Sequence, residues 1–127
     1  MKKIIYTEKA PAAIGPYSQG INTGKLIFTS GQIPIDPENG EMVTDDIKKA
    51  AERCILNLKA VLEAADSSLK NVIKTTVFIK NMDDFAAVNQ VYGEYFTENY
   101  PARSCVEVSR LPKDALVEIE AVAKVNE

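Results

Sequence analysis

The chain is organised around residues 101–121, which read PARSCVEVSRLPKDALVEIEA. Two runs typical of β-strands begin in this stretch, residues 103–108 and residues 116–122. Between them, residues 111–114 (Leu-Pro-Lys-Asp) are turn material, because proline presets one turn dihedral angle and aspartate caps its own backbone. The pattern predicts a β-hairpin.

Charged side chains and a thiol occupy alternate positions of these two runs. Strand side chains alternate between faces, so each group should share one face of its strand. The first group is Arg103, Cys105 and Glu107, and the second is Glu118 and Glu120. Arg–Glu pairs on the water side of a sheet are common and contribute little to stability. A solvated face is therefore the plain alternative to a functional site.

The spacing of the hairpin also bears on which residues can meet. With residues 112–113 at its tip, Glu118 falls opposite Glu107, and Arg103 lies roughly 13 Å further along the strand. Two like charges directly opposite each other are destabilising. Arg103 and Glu118 should then not meet within one subunit, and a neighbouring subunit is expected to supply the missing partner.

The run Pro-Ala-Arg-Ser-Cys-Val-Glu at 101–107, followed by Val-Glu-Ile-Glu at 117–120, resembles the signature of the RidA (YjgF-type) family of enamine/imine deaminases. The likeness extends through residues 10–20 (APAAIGPYSQG), 29–34 (TSGQIP) and 74–79 (KTTVFI). It covers essentially the whole chain. Several separate motifs in the right order are more specific than any one short pattern.

Composition limits the chemistry that the chain can perform. Its 127 residues suit a single domain, 1–127. The absence of histidine excludes His-dependent triads and His metal sites, and Cys54 and Cys105 alone cannot form a common zinc site, so we expect neither metal nor cofactor. A net charge of −3 argues against nucleic acid as the main partner. No apolar run approaches the ~20 residues of a membrane span, and the cytoplasm is the expected compartment.

Hydrophobic periodicity predicts an α+β fold with the order β-β-β-α-β-α-β-β. The first helix has a clear apolar stripe from Ile47 to Ala65, with Thr44 as its N-cap and Cys54 inside the stripe as core packing. Asn89 lies beside the stripe of the second helix. The remaining assignments are strands at 2–6, 17–23, 25–31 and 72–79, and a second helical stripe formed by Phe85, Val88, Tyr92, Tyr95 and Phe96.

These elements predict a two-layer, mixed β-sheet with both helices on one face. The other face of the sheet would be bare, so packing alone favours oligomerisation. The family resemblance implies a homotrimer with a chorismate-mutase-like fold and with clefts between subunits.

The resemblance also implies substrates and roles. Family substrates are short 2-imino acids that arise when serine or threonine is dehydrated, and the products are 2-keto acids and ammonia. Arg103 would bind the substrate carboxylate, Glu118 would orient and activate water, and Cys105 would touch the substrate. The pocket-lining positions of the family correspond to Tyr17, Ser30, Gly31 and Asn89.

Other interpretations remain open at this point. A trimer with three carboxylate-binding clefts could be a non-enzymatic regulator, and Ser30-Gly31 could mark a strand end or bulge. Cys105 has no histidine to activate it, so covalent catalysis is not expected. RNA cleavage fits the net charge poorly, and one arginine in each cleft is too few for the dicarboxylate of a chorismate mutase.

Overall fold

The structure is a computed structural model that describes residues 1–126. Its elements follow the predicted order of six strands and two helices within these residues. They are β1 (Lys3–Ile5), β2 (Gly20–Asn22), β3 (Leu26–Thr29), α1 (Ile47–Ala64), β4 (Val72–Ile79), α2 (Phe85–Tyr95), β5 (Ala102–Glu107) and β6 (Val117–Lys124).

The strands form one mixed sheet in the order β1-β2-β3-β6-β4-β5. Only β4 and β5 are parallel, and every other neighbouring pair is antiparallel. The predicted hairpin of β5 with β6 is therefore wrong, because β4 lies between them. The crossover through α2 places β5 on the outer edge beside β4. β6 then enters the gap between β3 and β4, where it gains hydrogen-bonding neighbours on both sides.

The predicted pairing of Glu107 with Glu118 does not occur either. Glu118 pairs with Phe78 of β4, and Phe78 in turn pairs with Val106 of β5. Glu107 instead accepts a hydrogen bond of 2.8 Å from the backbone N–H of Met82. The predicted hairpin would have placed Glu107 and Glu118 directly opposite each other. In the structure β4 separates the strands that carry them.

Both helices cover one face of the sheet, as predicted. The apolar stripe of α1 is buried except at its first residue, Ile47, which is partly buried. Cys54 within the stripe donates a weak hydrogen bond to the carbonyl oxygen of Val117 at 3.6 Å. The N-cap is Asp46 and not Thr44, because Asp46 directly precedes the first helical residue and its carboxylate accepts the N–H groups of Lys48 and Lys49. No helix within residues 1–126 is long and apolar enough to cross a membrane.

The opposite face of the sheet is covered by no other element of residues 1–126. Apolar side chains on it are open to solvent, including Ile4 at 63%, Phe28 at 45% and Val106 at 43% exposed. Glu118 and Glu120 share this face, since they alternate with the buried Val117 and Ile119. We call this surface the open face of the sheet.

Candidate functional site

The predicted site residues fall into two groups on opposite faces of the sheet. Arg103 and Cys105 pair with Thr75 and Val77, whose side chains are buried beneath the helices, so both lie on the helix-covered side. Glu118 lies on the open face. With β4 between β5 and β6, the two groups are also about 10 Å apart across the sheet. One chain therefore does not bring Arg103 and Glu118 to the same small molecule.

The Glu118 group lines a cavity of about 500 Å³ beside the start of β6. It brings together Tyr17, Ser30, Gly31 and Glu118, four of the predicted residues. β2 begins only at Gly20, later than predicted, so Tyr17 lies in the loop before the strand. The rest of the lining is largely apolar and consists of Pro11, Ala12, Ile14, Gln19, Gln32, Ile33, Ile35, Pro112 and Lys113.

Gly31 allows the carboxyl group of Glu118 to lie directly against the backbone. A Cβ atom built on Gly31 would lie 1.8 Å from Oε2 and 2.7 Å from Cδ of Glu118. Reciprocal backbone hydrogen bonds between Gln32 and Ile119, of 2.8 and 3.1 Å, hold the two segments together. Such an approach leaves no room for a side chain on residue 31 unless the Glu118 carboxyl group moves, so glycine is what allows the carboxyl group to occupy this position.

The environment of Glu118 makes its carboxyl group more basic than usual. Burial raises the pKa of Glu118, and the negative charge of Glu120 on the same face raises it further. No Lys or Arg nitrogen within residues 1–126 forms a salt bridge with Glu118; the one ion pair in this part of the chain is Arg110–Asp114. Glu118 is thus placed to exchange a proton nearer neutral pH than an ordinary glutamate.

Polar groups beside Glu118 supply further hydrogen-bonding positions. The hydroxyl group of Ser30 donates to the carbonyl oxygen of Ser18, which leaves the Ser30 oxygen free to accept a hydrogen bond. The backbone N–H of Gly31 has no acceptor among residues 1–126, whereas those of Ser30 and Gln32 donate to backbone carbonyls. The polar groups of the pocket therefore include the carboxyl group of Glu118, the unused amide of Gly31 and the oxygen of Ser30.

The Arg103 group lies at the outer edge of the sheet. Nη1 of Arg103 donates a hydrogen bond of 2.6 Å to Oδ1 of Asn89. Its guanidinium carbon lies 4.8 Å from the ring centre of Tyr92 and 5.3 Å from that of Phe85. No carboxylate of residues 1–126 pairs with Arg103, so the alternative of a solvated Arg–Glu pair has no partner among these residues.

Cys105 lies on the same side of β5 as Arg103 and is partly buried. Burial raises the pKa of the Cys105 thiol, and the positive charge of Arg103 opposes that shift less strongly. The thiol is therefore neutral near pH 7. A neutral thiol can contact a ligand, but it is a poor nucleophile.

Sequence reasoning missed two contributions to these groups. Phe85 and Tyr92 were expected only as core residues of the helix, yet both contact Arg103; their spacing from Asn89, which places all three on one helix face, was the available signal. Lys113 lines the cavity with a left-handed backbone, φ 56°. Lysine gives no sequence signal for that conformation.

Comparison with known proteins agrees with this fold. The family model described as endoribonuclease L-PSP matches residues 7–125. A RutC family protein of Pyrococcus abyssi is 60% identical over 122 residues, which is 96% of each chain. The 2-iminobutanoate/2-iminopropanoate deaminase of Escherichia coli K12 is 54% identical over 126 residues, covering 97% of this chain and 98% of that protein. The chain belongs to the endoribonuclease L-PSP family, which includes the RidA (YjgF-type) deaminases, and the predicted resemblance is confirmed.

A solved structure supports the same conclusion about the architecture. The crystal structure of E. coli TdcF with bound serine superposes with a TM-score of 0.95 at 50% identity, covering 98% of this chain and 100% of that chain. The predicted α+β fold is confirmed by this agreement.

Proposed function

We propose that the protein hydrolyses short 2-imino acids and their enamine tautomers to 2-keto acids and ammonia. The observation that carries the proposal is the carboxyl group of Glu118, which lies over Gly31 in a cavity where burial raises its pKa. A general acid–base group works best when its pKa is close to the operating pH. The 54% identity to a protein named as a 2-iminobutanoate/2-iminopropanoate deaminase supports this choice of reaction.

The proposed reaction uses Glu118 for both proton transfers. The substrate reacts as its protonated imine: the oxygen of a water molecule bonds to the iminium carbon, the π electrons of the C=N bond move to nitrogen, and Glu118 takes one of the water protons, which gives a neutral carbinolamine. Glu118 then returns this proton to the amino nitrogen, and the C–N bond breaks with its electron pair leaving on ammonia. The hydroxyl proton departs to solvent as the carbonyl group forms. The products are a 2-keto acid and ammonia, and no cofactor takes part.

Arg103 is the proposed anchor for the substrate carboxylate. A guanidinium group binds a carboxylate through two parallel hydrogen bonds, and Arg103 has no carboxylate partner within residues 1–126. The serine bound in E. coli TdcF is a small amino acid with the same carboxylate group. A short 2-imino acid has few other groups that can form strong polar contacts, so this contact should dominate its binding.

The separation of Arg103 from Glu118 leads to a proposal about assembly. Since the two residues lie on opposite faces, a complete site needs Arg103 of one subunit beside the Glu118 pocket of another. The exposed apolar residues of the open face supply a surface for such an assembly. We assign three subunits with one cleft at each interface, and the number three follows from the family resemblance.

The other predicted residues complete the cleft in this scheme. The unused amide of Gly31 donates to the substrate or to the attacking water, and the Ser30 oxygen accepts a hydrogen bond. Tyr17 is half-exposed at the edge of the cavity and closes it. Cys105 contacts the substrate as a neutral thiol, and Asn89 orients Arg103.

A coupled assay tests the proposal directly. A threonine dehydratase generates 2-iminobutanoate in the presence or absence of this protein, and the formation of 2-oxobutanoate and ammonia is followed. We expect catalytic amounts of the protein to shorten the lifetime of the imine, detected by trapping it with semicarbazide. The regulatory alternative predicts binding of 2-oxobutanoate with no faster loss of the imine, and that result would contradict the proposed reaction.

A further inference from the structure

The guanidinium group of Arg103 rests on a platform built by α2. Phe85, Asn89 and Tyr92 are spaced by four and three residues, so they share one face of the helix. All three contact Arg103: Asn89 by a hydrogen bond of 2.6 Å, and the two rings from 4.8 Å and 5.3 Å. A cation within about 6 Å of an aromatic ring centre is attracted to the face of the ring.

Tyr92 is itself fixed by contacts with Thr75 and Phe96 on the core side of its ring. Its hydroxyl group shares a buried hydrogen bond of 2.7 Å with the hydroxyl group of Thr75, which is fully buried. Its ring stacks on Phe96, with 4.4 Å between ring centres. Tyr92 is only 6% exposed, in contrast to the exposed Arg103 side chain that lies on it. Tyr92 is therefore part of the packed core, Phe85 is half-buried beside it, and the guanidinium group that they carry faces outward.

We infer that Tyr92, with Phe85 beside it, is a positioning residue that fixes the guanidinium fork of Arg103 for carboxylate binding. This inference rests on the proposed function, in which Arg103 binds the carboxylate. A free arginine side chain has several rotatable bonds, and ordering it at binding costs conformational entropy. The two rings and Asn89 restrict the side chain beforehand, so that part of this cost is met during folding.

The position of the rings also explains the choice of arginine over lysine. The planar guanidinium stacks on an aromatic face and still directs N–H groups outward along its edge. An ammonium group on a lysine has no plane to stack, and its charge would sit at a different height above Tyr92. The platform and Arg103 thus form one unit, and its function depends on both parts.

A double-mutant cycle tests this unit. The dissociation constant of 2-oxobutanoate is measured by calorimetry for the wild-type protein, Tyr92→Leu, Arg103→Ala and the double variant. Loss of the aromatic face should weaken binding by roughly 2- to 30-fold in the wild-type background. It should have no further effect once Arg103 is absent, because Tyr92 acts only through Arg103. Tyr92→Phe keeps the ring and should restore most of the affinity.

Val91→Ala is the matched control, because Val91 is buried in the same helix but lies about 100° around its axis from Tyr92. It should lower the melting temperature without changing the dissociation constant. If Tyr92→Leu does not fold, Phe85→Leu takes its place in the cycle. Unchanged affinity in Tyr92→Leu, or an equal loss in the Arg103→Ala background, would overturn the positioning role alone. An Arg103→Ala variant that binds 2-oxobutanoate normally would instead overturn the role of Arg103 as the carboxylate anchor in the proposed function.

Discussion

Replacing Gly31 with alanine would put a methyl group where the carboxyl group of Glu118 lies. The new Cβ would be 1.8 Å from Oε2 and 2.7 Å from Cδ, and contacts under 3.0 Å are essentially never seen for a real Cβ. The carboxyl oxygen must therefore move by more than about 1 Å, and the nearby backbone, which is hydrogen-bonded to β6, cannot move instead.

The size of this displacement sets the expected effect on the reaction. A misplacement of about 1 Å in a catalytic geometry can lower the rate about 100-fold. We expect a loss of this order in kcat for Gly31→Ala. Glu118 is only partly buried, so its side chain can swing into the cavity, and the melting temperature should change little.

The dehydratase-coupled assay and thermal unfolding, both performed on the same sample, check this prediction. Gly93→Ala is the matched control: an added Cβ at Gly93 meets nothing within 4 Å, and the residue lies inside α2. That variant should keep its activity and gain about 0.5–1 kcal/mol of unfolding free energy. A Gly31→Ala protein with wild-type kcat would refute the argument that the position of the Glu118 carboxyl group matters.

Four further substitutions have defined outcomes. Arg103→Ala should weaken 2-oxobutanoate binding by about 2–5 kcal/mol in calorimetry and leave the assembly intact by light scattering, whereas a purely structural role predicts normal binding and a lower melting temperature. Glu118→Gln should lower kcat by about 10²–10⁴-fold. Because the folded-state pKa of Glu118 is raised above 4.5, its ionisation destabilises the fold as pH rises through that pKa. The melting temperature of Glu118→Gln should then exceed that of the wild type at neutral pH, and the difference should vanish below pH 4.5; a constant difference contradicts this. Cys105→Ser should retain substantial activity, and a trapped thiol adduct in mass spectrometry would reverse that view. Cys54→Ala should cost roughly 1 kcal/mol in denaturant unfolding with no rate defect.

Sequence periodicity was sufficient to predict the elements of this fold but not the order of its strands. β4 was predicted with its observed bounds, Val72–Ile79, because it is a β-branched run between polar segments. The pairing of β5 with β6 was wrong, since a short turn between two strands is equally compatible with a third strand lying between them. That choice depends on where α2 packs, and the local sequence does not carry this information.

The sequence likewise predicted part of the candidate site and not the rest. Alternation along a strand correctly grouped Arg103 with Cys105, and Glu118 with Glu120. It could not assign either group to a face of the sheet, because charged residues occupy both. The separation of Arg103 from Glu118 was expected from a hairpin register that does not exist; its actual cause is that the two residues lie on opposite faces.

A subunit-mixing experiment tests the central claim most directly, namely that Arg103 of one subunit and Glu118 of another form one site. Arg103→Ala and Glu118→Gln proteins, each with strongly reduced activity alone, are mixed in equal amounts, unfolded and refolded together. Random mixing gives intact Arg103 and intact Glu118 in about one quarter of the clefts between subunits, so activity should return to about one quarter of the wild-type value. Each protein refolded separately should keep only its own low residual activity. If both residues of a site came from the same subunit, no mixture would contain an intact site, and the absence of any recovered activity would contradict the shared cleft.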